Sequence, residues 1–395
     1  MISLLHHVYM FYGNGYIKIV MNYFPLFLSD ICQIPKCLPR VSFTLCFIYR
    51  MESQKSKRSP NSRHLLTRVK RFLNKRMPHI LDFISPLWFL TTVMGLNYMA
   101  TDHIAALLYG ETIYSSIILG LAWFMSAQMV INWLLMAVVN SDYINTAENN
   151  AKRQDYEKSH PELPLIPIDY KELRERTGLT TANWSVITDY TGGTVVQTAY
   201  PYWGWKPCVP CSFTKPPRCH HCPICDKCVL KRDHHCFFAR NCIGLKNQRF
   251  FIVFNLWGFL LVTFALPQLL YYVYTTVWPS MSYLDLFLPC TLLLYLFGFT
   301  PFYTLALVFE ISSVAFFIPM TLGFLYEQLM CVNEGRTSFE RDQDRNNVQT
   351  LHRTRTEKFS AVFGSDLMWL NLLFPMHWIS TPTDDGIQWK SMKID

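Results

Sequence analysis

The sequence predicts an all-α, multi-pass membrane protein with four or more transmembrane helices and a small, metal-stapled, cysteine-rich domain. Half of the 395 residues are hydrophobic and 16% are charged, and charges are missing from long runs at 115–139 and 250–284. Residues 208–242 hold eight of the 13 cysteines and four of the 12 histidines. A segment this short has almost no room for a hydrophobic core, so ligation of a metal is expected to hold its fold.

The apolar runs give the positions of the membrane spans. A bilayer core takes ~20 apolar residues per helix, which is longer than an ordinary core helix needs. The first three expected spans are 83–101, 115–139 and 250–274. The first two form a hairpin, and the third follows the cysteine-rich segment.

The run at 286–326 is harder to assign. It carries one charge, at Glu310, and it is long enough for two spans. Three prolines interrupt it: Pro289, Pro301 and Pro319. They favour one broken or re-entrant element followed by one full span. The number of crossings stays open at this stage, as does the status of the apolar, aromatic residues 1–50.

Basic residues predict the orientation. The formal net charge is +8, and lysines and arginines crowd the segment 52–77 just before the first span. Basic residues beside a span mark the cytosolic side and also favour anionic lipid. The tail after 335 is basic as well. We therefore expect the basic segment 52–77, the cysteine-rich domain and the tail on the cytosolic side, and an even number of crossings after that domain.

These expectations divide the chain into six segments. In order they are an N-terminal segment, a transmembrane hairpin, a cytosolic linker, the cysteine-rich domain, a second transmembrane region and a cytosolic tail. Their expected bounds are 1–80, 81–140, 141–207, 208–250, 251–330 and 331–395.

Cysteine and histidine spacing predicts two metal sites. A Cys-x2-Cys turn brings two thiolates to about the edge length of a zinc tetrahedron, and such turns begin at Cys208, Cys222 and Cys225. Disulfides are disfavoured on the cytosolic side, where thiols stay reduced. Two closed sites use eight ligands, but the segment offers twelve cysteines and histidines. A cysteine left over beside a histidine would be a candidate nucleophile. Spacing alone does not tell which four are free.

The pattern from Cys208 to Phe251 resembles the DHHC-type protein S-acyltransferases, or palmitoyltransferases. It reads Cys-x2-Cys-x9-His-Cys-x2-Cys-x2-Cys-x4-Asp-His-His-Cys-x5-Cys-x4-Asn-x3-Phe. Residues 337–340, Thr-Ser-Phe-Glu, resemble the Thr-Thr-x-Glu element of that family, and 362–375 is similar to its tail. Two departures suggest a divergent member. Phe237-Phe238 replace the usual Pro-Trp, and Ser141-Asp142-Tyr143 stand where Asp-Pro-Gly is usual.

The resemblance implies a role for each ligand-class residue. It implies two structural zinc ions, one on Cys208, Cys211, His221 and Cys228, the other on Cys222, Cys225, His235 and Cys242. It also implies that Cys236 is the nucleophile, that His234 is its base and that Asp233 orients His234. Cys219 and His220 match no role in the family, and we expect them to be structural.

The implied reaction moves a long-chain acyl group, palmitoyl in the type case, from acyl-CoA to Cys236 and then to a cysteine of a membrane-associated protein. The CoA phosphates need cations near the domain, and the expected contacts are Lys231, Arg232, Lys246 and Arg249. The family suggests the Golgi or ER membrane. The main alternative is a catalytically silent, zinc-structured scaffold that binds client proteins. A nucleic-acid binder or a transporter is disfavoured, because the metal segment lies between spans that are almost free of charge.

Overall fold

The computed structural model describes residues 60–159, 186–191, 194–199, 204–208, 210–278, 285–343, 353–365, 368–374 and 381–389. Three sets of predictions lie outside the described residues. They concern the N-terminal segment 1–59, the basic side chains before Arg76, and the linker at 160–185. By its internal contacts the chain divides into a unit at Met1–Leu81 and a unit at Asp82–Asp395. The first unit contributes the start of helix Pro60–Met99, and the second contributes everything described below.

Four helices are long and apolar enough to cross a membrane in the part of the chain that the structure describes. We number these spans 1 to 4: Arg76–Tyr109, Ile113–Val138, Gln248–Val277 and Phe302–Glu334. The predicted class, a multi-pass helical protein with a small cysteine-rich domain, is confirmed. The third predicted span falls within span 3, the second ends one residue after span 2, and span 1 extends the first one at both ends.

The structure also resolves the ambiguous run at 286–326. Helix Leu288–Leu296 has nine residues, too short to cross a bilayer, and span 4 begins at Phe302. Its end is marked by Gly335, whose positive φ of 74° suits glycine at a helix C-terminus. Two full spans therefore follow the cysteine-rich domain among the described residues. This agrees with the even number of crossings expected from the basic tail.

The spans form one bundle. Span 3 packs against spans 2 and 4. The part of span 1 after Asp82 touches each of the others, through Trp88 Nε1 donating to Ser313 Oγ at 2.9 Å, Asn97 Nδ2 donating to Ser126 Oγ at 2.8 Å, and Phe89 against the Phe254 ring. Side chains such as Phe83 and Phe299 face outward on the bundle, as lipid contact requires.

Short antiparallel hairpins lie before and within the cysteine-rich domain in the described residues, and the first of them, β1 with β2, precedes Cys208. The pairs are β1 with β2, β3 with β4, β5 with β6, and β7 with β8. Their bounds are β1 Val186–Thr191, β2 Thr194–Ala199, β3 Lys206–Cys208, β4 Phe213–Lys215, β5 His220–Cys222, β6 Lys227–Val229, β7 His234–Cys236 and β8 Asn241–Ile243. Span 3 begins five residues after β8, so the domain is tied directly to the bundle.

Short tail elements cover the end of the bundle that carries the cysteine-rich domain. Helix Ser338–Gln343 follows span 4, and helices Arg355–Phe363 and Met368–Leu373 pack on spans 3 and 4. The segment 381–389 returns to the cysteine-rich domain, where Ile387 and Trp389 are buried with Cys208. The remaining helices are Ala105–Tyr109, which follows a π-helical turn at Ala100–Ile104, and Ala147–Ser159.

Candidate active site and metal centres

The hairpins gather the cysteines and histidines into two groups. One group is Cys208, Cys211, His221 and Cys228, and the other is Cys222, Cys225, His235 and Cys242. Within each group the potential ligand atoms lie within 4.8 Å of one another. These are the two sets that the family resemblance implies. Cys236 is in neither.

Strand geometry explains how neighbouring residues reach different groups. The hairpin register places His221 opposite Cys228 and His235 opposite Cys242, so each hairpin supplies one histidine and one cysteine to a group. Successive side chains of a strand point to opposite faces. His221 and Cys222 are therefore directed to different groups.

The same alternation separates two kinds of side chain on β7. His234 and Cys236 stand two residues apart and share one face of the strand, whereas His235 points to the other. His235 lies among the second group's cysteines. The strand thus places His234 and Cys236 together, away from those ligands.

The donor chemistry of both groups fits zinc. Three thiolates and one imidazole make a usual tetrahedral zinc set. In each group the histidine turns Nδ1 toward sulfur, with His221 Nδ1 at 3.2 Å from Cys211 Sγ and His235 Nδ1 at 3.2 Å from Cys225 Sγ. The residue after the Cys208–Cys211 pair and the residue after the Cys222–Cys225 pair have the same backbone conformation. Ser212 and Asp226 have positive φ values of 55° and 53°.

A carboxylate lies near Nε2 of each ligand histidine, on the side of the ring away from the sulfur atoms. His235 Nε2 lies 2.8 Å from Oδ1 of Asp82, which is half-buried near the start of span 1, and His221 Nε2 lies 3.5 Å from the exposed Asp226. A carboxylate on the far nitrogen fixes the tautomer and ring orientation of a metal-binding histidine. Asp82 was not singled out from the sequence, because 153 residues separate it from its partner.

Asp233, His234 and Cys236 are all buried, at 2 to 3% exposure. His234 Nδ1 lies 2.7 Å from Asp233 Oδ2, so the other ring nitrogen, Nε2, is the one left to serve the thiol. Burial lowers the pKa of His234, but hydrogen bonds and charges from Asp233 and Cys236 outweigh it and raise the pKa to about 9. Burial likewise opposes ionisation of Asp233, yet its hydrogen bonds hold the pKa of that carboxyl below its usual value.

The Thr-Ser-Phe-Glu element closes over this trio. Ser338 donates its backbone N–H to Asp233 Oδ1 at 2.6 Å and its hydroxyl to Oδ2 at 3.1 Å. Glu340 accepts two hydrogen bonds from Arg218, at 2.6 and 2.8 Å, and both side chains of that ion pair are 2% exposed. Because Arg218 belongs to the cysteine-rich domain, the pair fixes the end of span 4 to that domain.

Phe237 and Phe238 follow the thiol. Phe238 O accepts a hydrogen bond from Trp133 Nε1 of span 2 at 2.8 Å. The Phe238 ring lies 6.3 Å from the Trp88 ring and 6.0 Å from the Phe317 ring, measured between centroids. The backbone beside Cys236 is therefore anchored to the bundle, against aromatic side chains of spans 1 and 4.

The four cations predicted to contact CoA have different surroundings. Lys231 is buried and lines a small cavity. The other basic residues that line this cavity are Arg218, Arg336, Arg353 and Lys358. Burial, followed by repulsion from Arg218, lowers the pKa of Lys231 to about 8.

The structure does not bring the other three cations to that cavity. Arg232 stacks on the Phe339 ring, 5.4 Å from its centroid, and lies near Cys242 and Cys222 of the second group. Arg249 is buried, with its guanidinium over the Phe250 ring. Lys246 is exposed. Arg218, which the sequence did not single out, faces the cavity instead.

Comparisons with known proteins bear on the same segment. A family model described as DHHC palmitoyltransferase matches residues 203–345. The chain is 32% identical over 119 residues to palmitoyltransferase ZDHHC2 of Mus musculus, 31% over 175 residues to palmitoyltransferase ZDHHC20-A of Danio rerio, and 41% over 106 residues to palmitoyltransferase PFA3 of Eremothecium gossypii. These matches cover 28%, 44% and 24% of this chain.

The chain spans 32%, 44% and 29% of the length of these three relatives, in the same order. The matched segment contains both Cys/His groups, the Asp-His-His-Cys strand and the Thr-Ser-Phe-Glu element. Through that segment the chain is similar to the DHHC palmitoyltransferases.

Proposed function

We propose that this chain is a protein S-acyltransferase that moves a long-chain acyl group, such as palmitoyl, from acyl-CoA to cysteines of membrane-associated proteins. One observation carries the proposal. The Cys236 thiol belongs to neither ligand group and shares a strand face with His234, whose far nitrogen is held by the buried Asp233. A free thiol, a base and a group that orients the base are the parts that a cysteine acyltransferase needs.

The chemistry proceeds in two balanced steps. His234 takes the proton of the Cys236 thiol, and the resulting cation stabilises the thiolate. The thiolate attacks the thioester carbonyl of acyl-CoA; a new C–S bond forms, the bond to the CoA sulfur breaks, and His234 protonates the departing CoA thiolate. A substrate thiol then gives its proton to His234 and attacks the acyl-enzyme, and Cys236 leaves as a thiolate. Asp233 keeps the imidazole in the tautomer and orientation that both steps require.

Two zinc ions, held by the two Cys₃His groups, would supply structural rather than chemical support. Such sites are closed, with every position taken by protein. Their role in this proposal is to stiffen the short hairpins, because β7 has three residues. Rigid hairpins hold Cys236 and His234 in fixed relation.

The acyl chain is assigned to the interior of the bundle. Burial of each CH₂ is worth ~0.8 kcal/mol, so a chain of ~16 carbons strongly favours an apolar site. The Phe238 ring, with Trp88 and Phe317 next to it, supports an entry between spans 1 and 4 beside the thiol. The Cys236 sulfur would then stand where the apolar bundle meets the polar domain.

The CoA moiety is assigned to the polar side, where its phosphates need cations. The cavity lined by Lys231 and four further basic residues supports an anionic ligand there, because Asp384 is the one acidic residue among its lining. Arg353 already pairs with Asp384 in a two-bond contact at 2.9 Å. We propose Lys231 as the main CoA contact among the four predicted from the sequence. The domain would face the cytosol, where acyl-CoA is found, in a Golgi or ER membrane.

The test is covalent labelling. Purified chain in detergent, given an alkyne-tagged acyl-CoA, should gain a label that neutral hydroxylamine removes and that Cys236→Ser abolishes. Cys219→Ser is the matched control, since Cys219 is also buried and also outside both ligand groups. A parent chain that takes no label at any acyl length would support the scaffold alternative. A label retained in Cys236→Ser would place the nucleophile elsewhere.

A further inference from the structure

The proposed mechanism uses Asp233, but it leaves unexplained a buried amide that touches the same carboxylate. Gln328 lies on span 4 and is 2% exposed. Its Nε2 lies 2.7 Å from Asp233 Oδ2 and 3.0 Å from Ser338 Oγ. This contact joins two residues that are 95 positions apart in the chain, and the proposed mechanism gives it no role.

Charge fixes the direction of the Gln328 amide. An ionised carboxylate only accepts hydrogen bonds, so the atom of Gln328 at 2.7 Å from Asp233 must be the donating NH₂ group. Its carbonyl oxygen, Oε1, then points the other way and accepts from Gln248 Nε2 at 3.0 Å. Gln248 stands in the first turn of span 3 and is 1% exposed. The two amides form a directed chain from span 3 through span 4 to Asp233.

This chain completes the set of donors around the carboxylate. Asp233 Oδ2 accepts from His234 Nδ1 at 2.7 Å, from Gln328 at 2.7 Å and from the Ser338 hydroxyl at 3.1 Å, while Oδ1 accepts from the Ser338 backbone N–H. Because Gln328 and Ser338 also donate to Oδ2, the Asp233 carboxylate is fixed in one orientation. The His234 ring, which bonds the same oxygen, is oriented with it. Hydrogen bonds to a charged, buried group are the strong ones.

We infer that Gln328 is a further positioning residue for the proposed acyl transfer, and that Gln248 sets the direction of its amide. Gln328 acts through Asp233 on His234 and touches neither the thiol nor the acyl group. The inference rests on the proposed function. It also links the membrane bundle to the chemistry, because Gln248 and Gln328 belong to spans 3 and 4, the two spans that follow the cysteine-rich domain in the chain.

The experiment compares five variants with the parent in single-turnover self-acylation of Cys236 at rising acyl-CoA concentration. Gln328→Met keeps the length of the side chain and removes the donor. We expect its maximal rate to fall on the order of 10- to 100-fold, with the half-saturating acyl-CoA concentration within about twofold of the parent's. Gln328→Glu points an acceptor at Asp233 and should be slower still. Gln328→His restores an N–H donor and should recover part of the rate.

Two further measurements separate positioning from folding. Each variant should keep the parent's zinc content. Gln248→Met, which leaves the Asp233 contact in place, should lose roughly 2- to 10-fold in rate. Gln268→Met is the matched control and should keep the parent's rate, since Gln268 is a glutamine of span 3 that bonds Phe264 O in its own helix.

The outcomes distinguish this inference from the proposed function. A labelled parent together with an unchanged rate in Gln328→Met overturns the inference alone. So does a rate loss that His fails to recover and that comes with lost zinc, because Gln328 would then act on folding. A parent chain that takes no label overturns the proposed function and this inference with it.

Discussion

Replacing Asp82 should loosen one metal site and leave the other unchanged. Asp82 Oδ1 lies 2.8 Å from His235 Nε2, and the Asp82 side chain is 14% exposed. A carboxylate in this position typically accounts for a 10- to 100-fold difference in metal affinity, which corresponds to about 1.4–2.7 kcal/mol. Asp82→Ala should weaken zinc binding at the second group by that factor. Asp82→Asn keeps an acceptor without the charge and should fall between Ala and the parent.

The first metal group supplies an internal control. Asp226 faces His221 in the same way, but at 3.5 Å and with a side chain that is 88% exposed. An exposed pair of this kind is worth about 0–1 kcal/mol. Asp226→Ala should therefore change zinc affinity by less than about fivefold, although the residue has the same chemistry and the same type of partner.

The assay titrates purified chain in detergent with a chromogenic zinc chelator and counts the zinc retained by mass spectrometry. The parent should hold two zinc ions per chain. For Asp82→Ala, the chelator concentration that removes one of them should fall 10- to 100-fold while the second ion stays. Equal chelator sensitivity in Asp82→Ala and the parent would refute the reasoning, and so would a larger effect from Asp226→Ala.

Further predictions concern the cations of the domain. Lys231→Met should raise the half-saturating acyl-CoA concentration in self-acylation about tenfold by removing a buried contact to phosphate. Lys246 is exposed, and Lys246→Met should leave that concentration within about twofold of the parent's. Equal effects of the two substitutions would contradict the assignment of CoA to the basic cavity. Glu340→Gln should lower the free energy of unfolding by about 3–5 kcal/mol, since it leaves Arg218 charged and buried, and Arg218→Met combined with Glu340→Gln should recover part of the loss in a thermal unfolding measurement. A Glu340→Gln chain as stable as the parent would show that the ion pair does not hold span 4 to the domain.

Elements whose signal is local could be predicted from the sequence. Apolar runs suffice for the spans, because a bilayer imposes length and composition on a single helix. Cys-x2-Cys spacing suffices for the presence of metal-ligand turns. The run at 286–326 failed to yield a definite number of spans. Nothing in its composition shows that the first helix stops at Leu296, after nine residues, and that span 4 starts at Phe302.

Contacts between distant parts of the chain could not be predicted. Asp82 reaches His235 across 153 residues, Gln328 reaches Asp233 across 95, and Arg218 reaches Glu340 across 122. No local sequence pattern marks any of these side chains, and each meets its partner only when the bundle and the hairpins pack together. The polar contacts to Asp233 and to the second metal group therefore depend on the tertiary structure and have no local sequence signal.

The most direct test of the central claim is native mass spectrometry of the chain after incubation with palmitoyl-CoA, followed by peptide mapping. The account predicts a species that carries one acyl group and two zinc ions together, with the acyl group on the Cys236 peptide and removable by hydroxylamine. Acylation that expels a zinc ion, or an acyl group found on one of the eight ligand-group residues, would show that Cys236 is not the metal-free nucleophile.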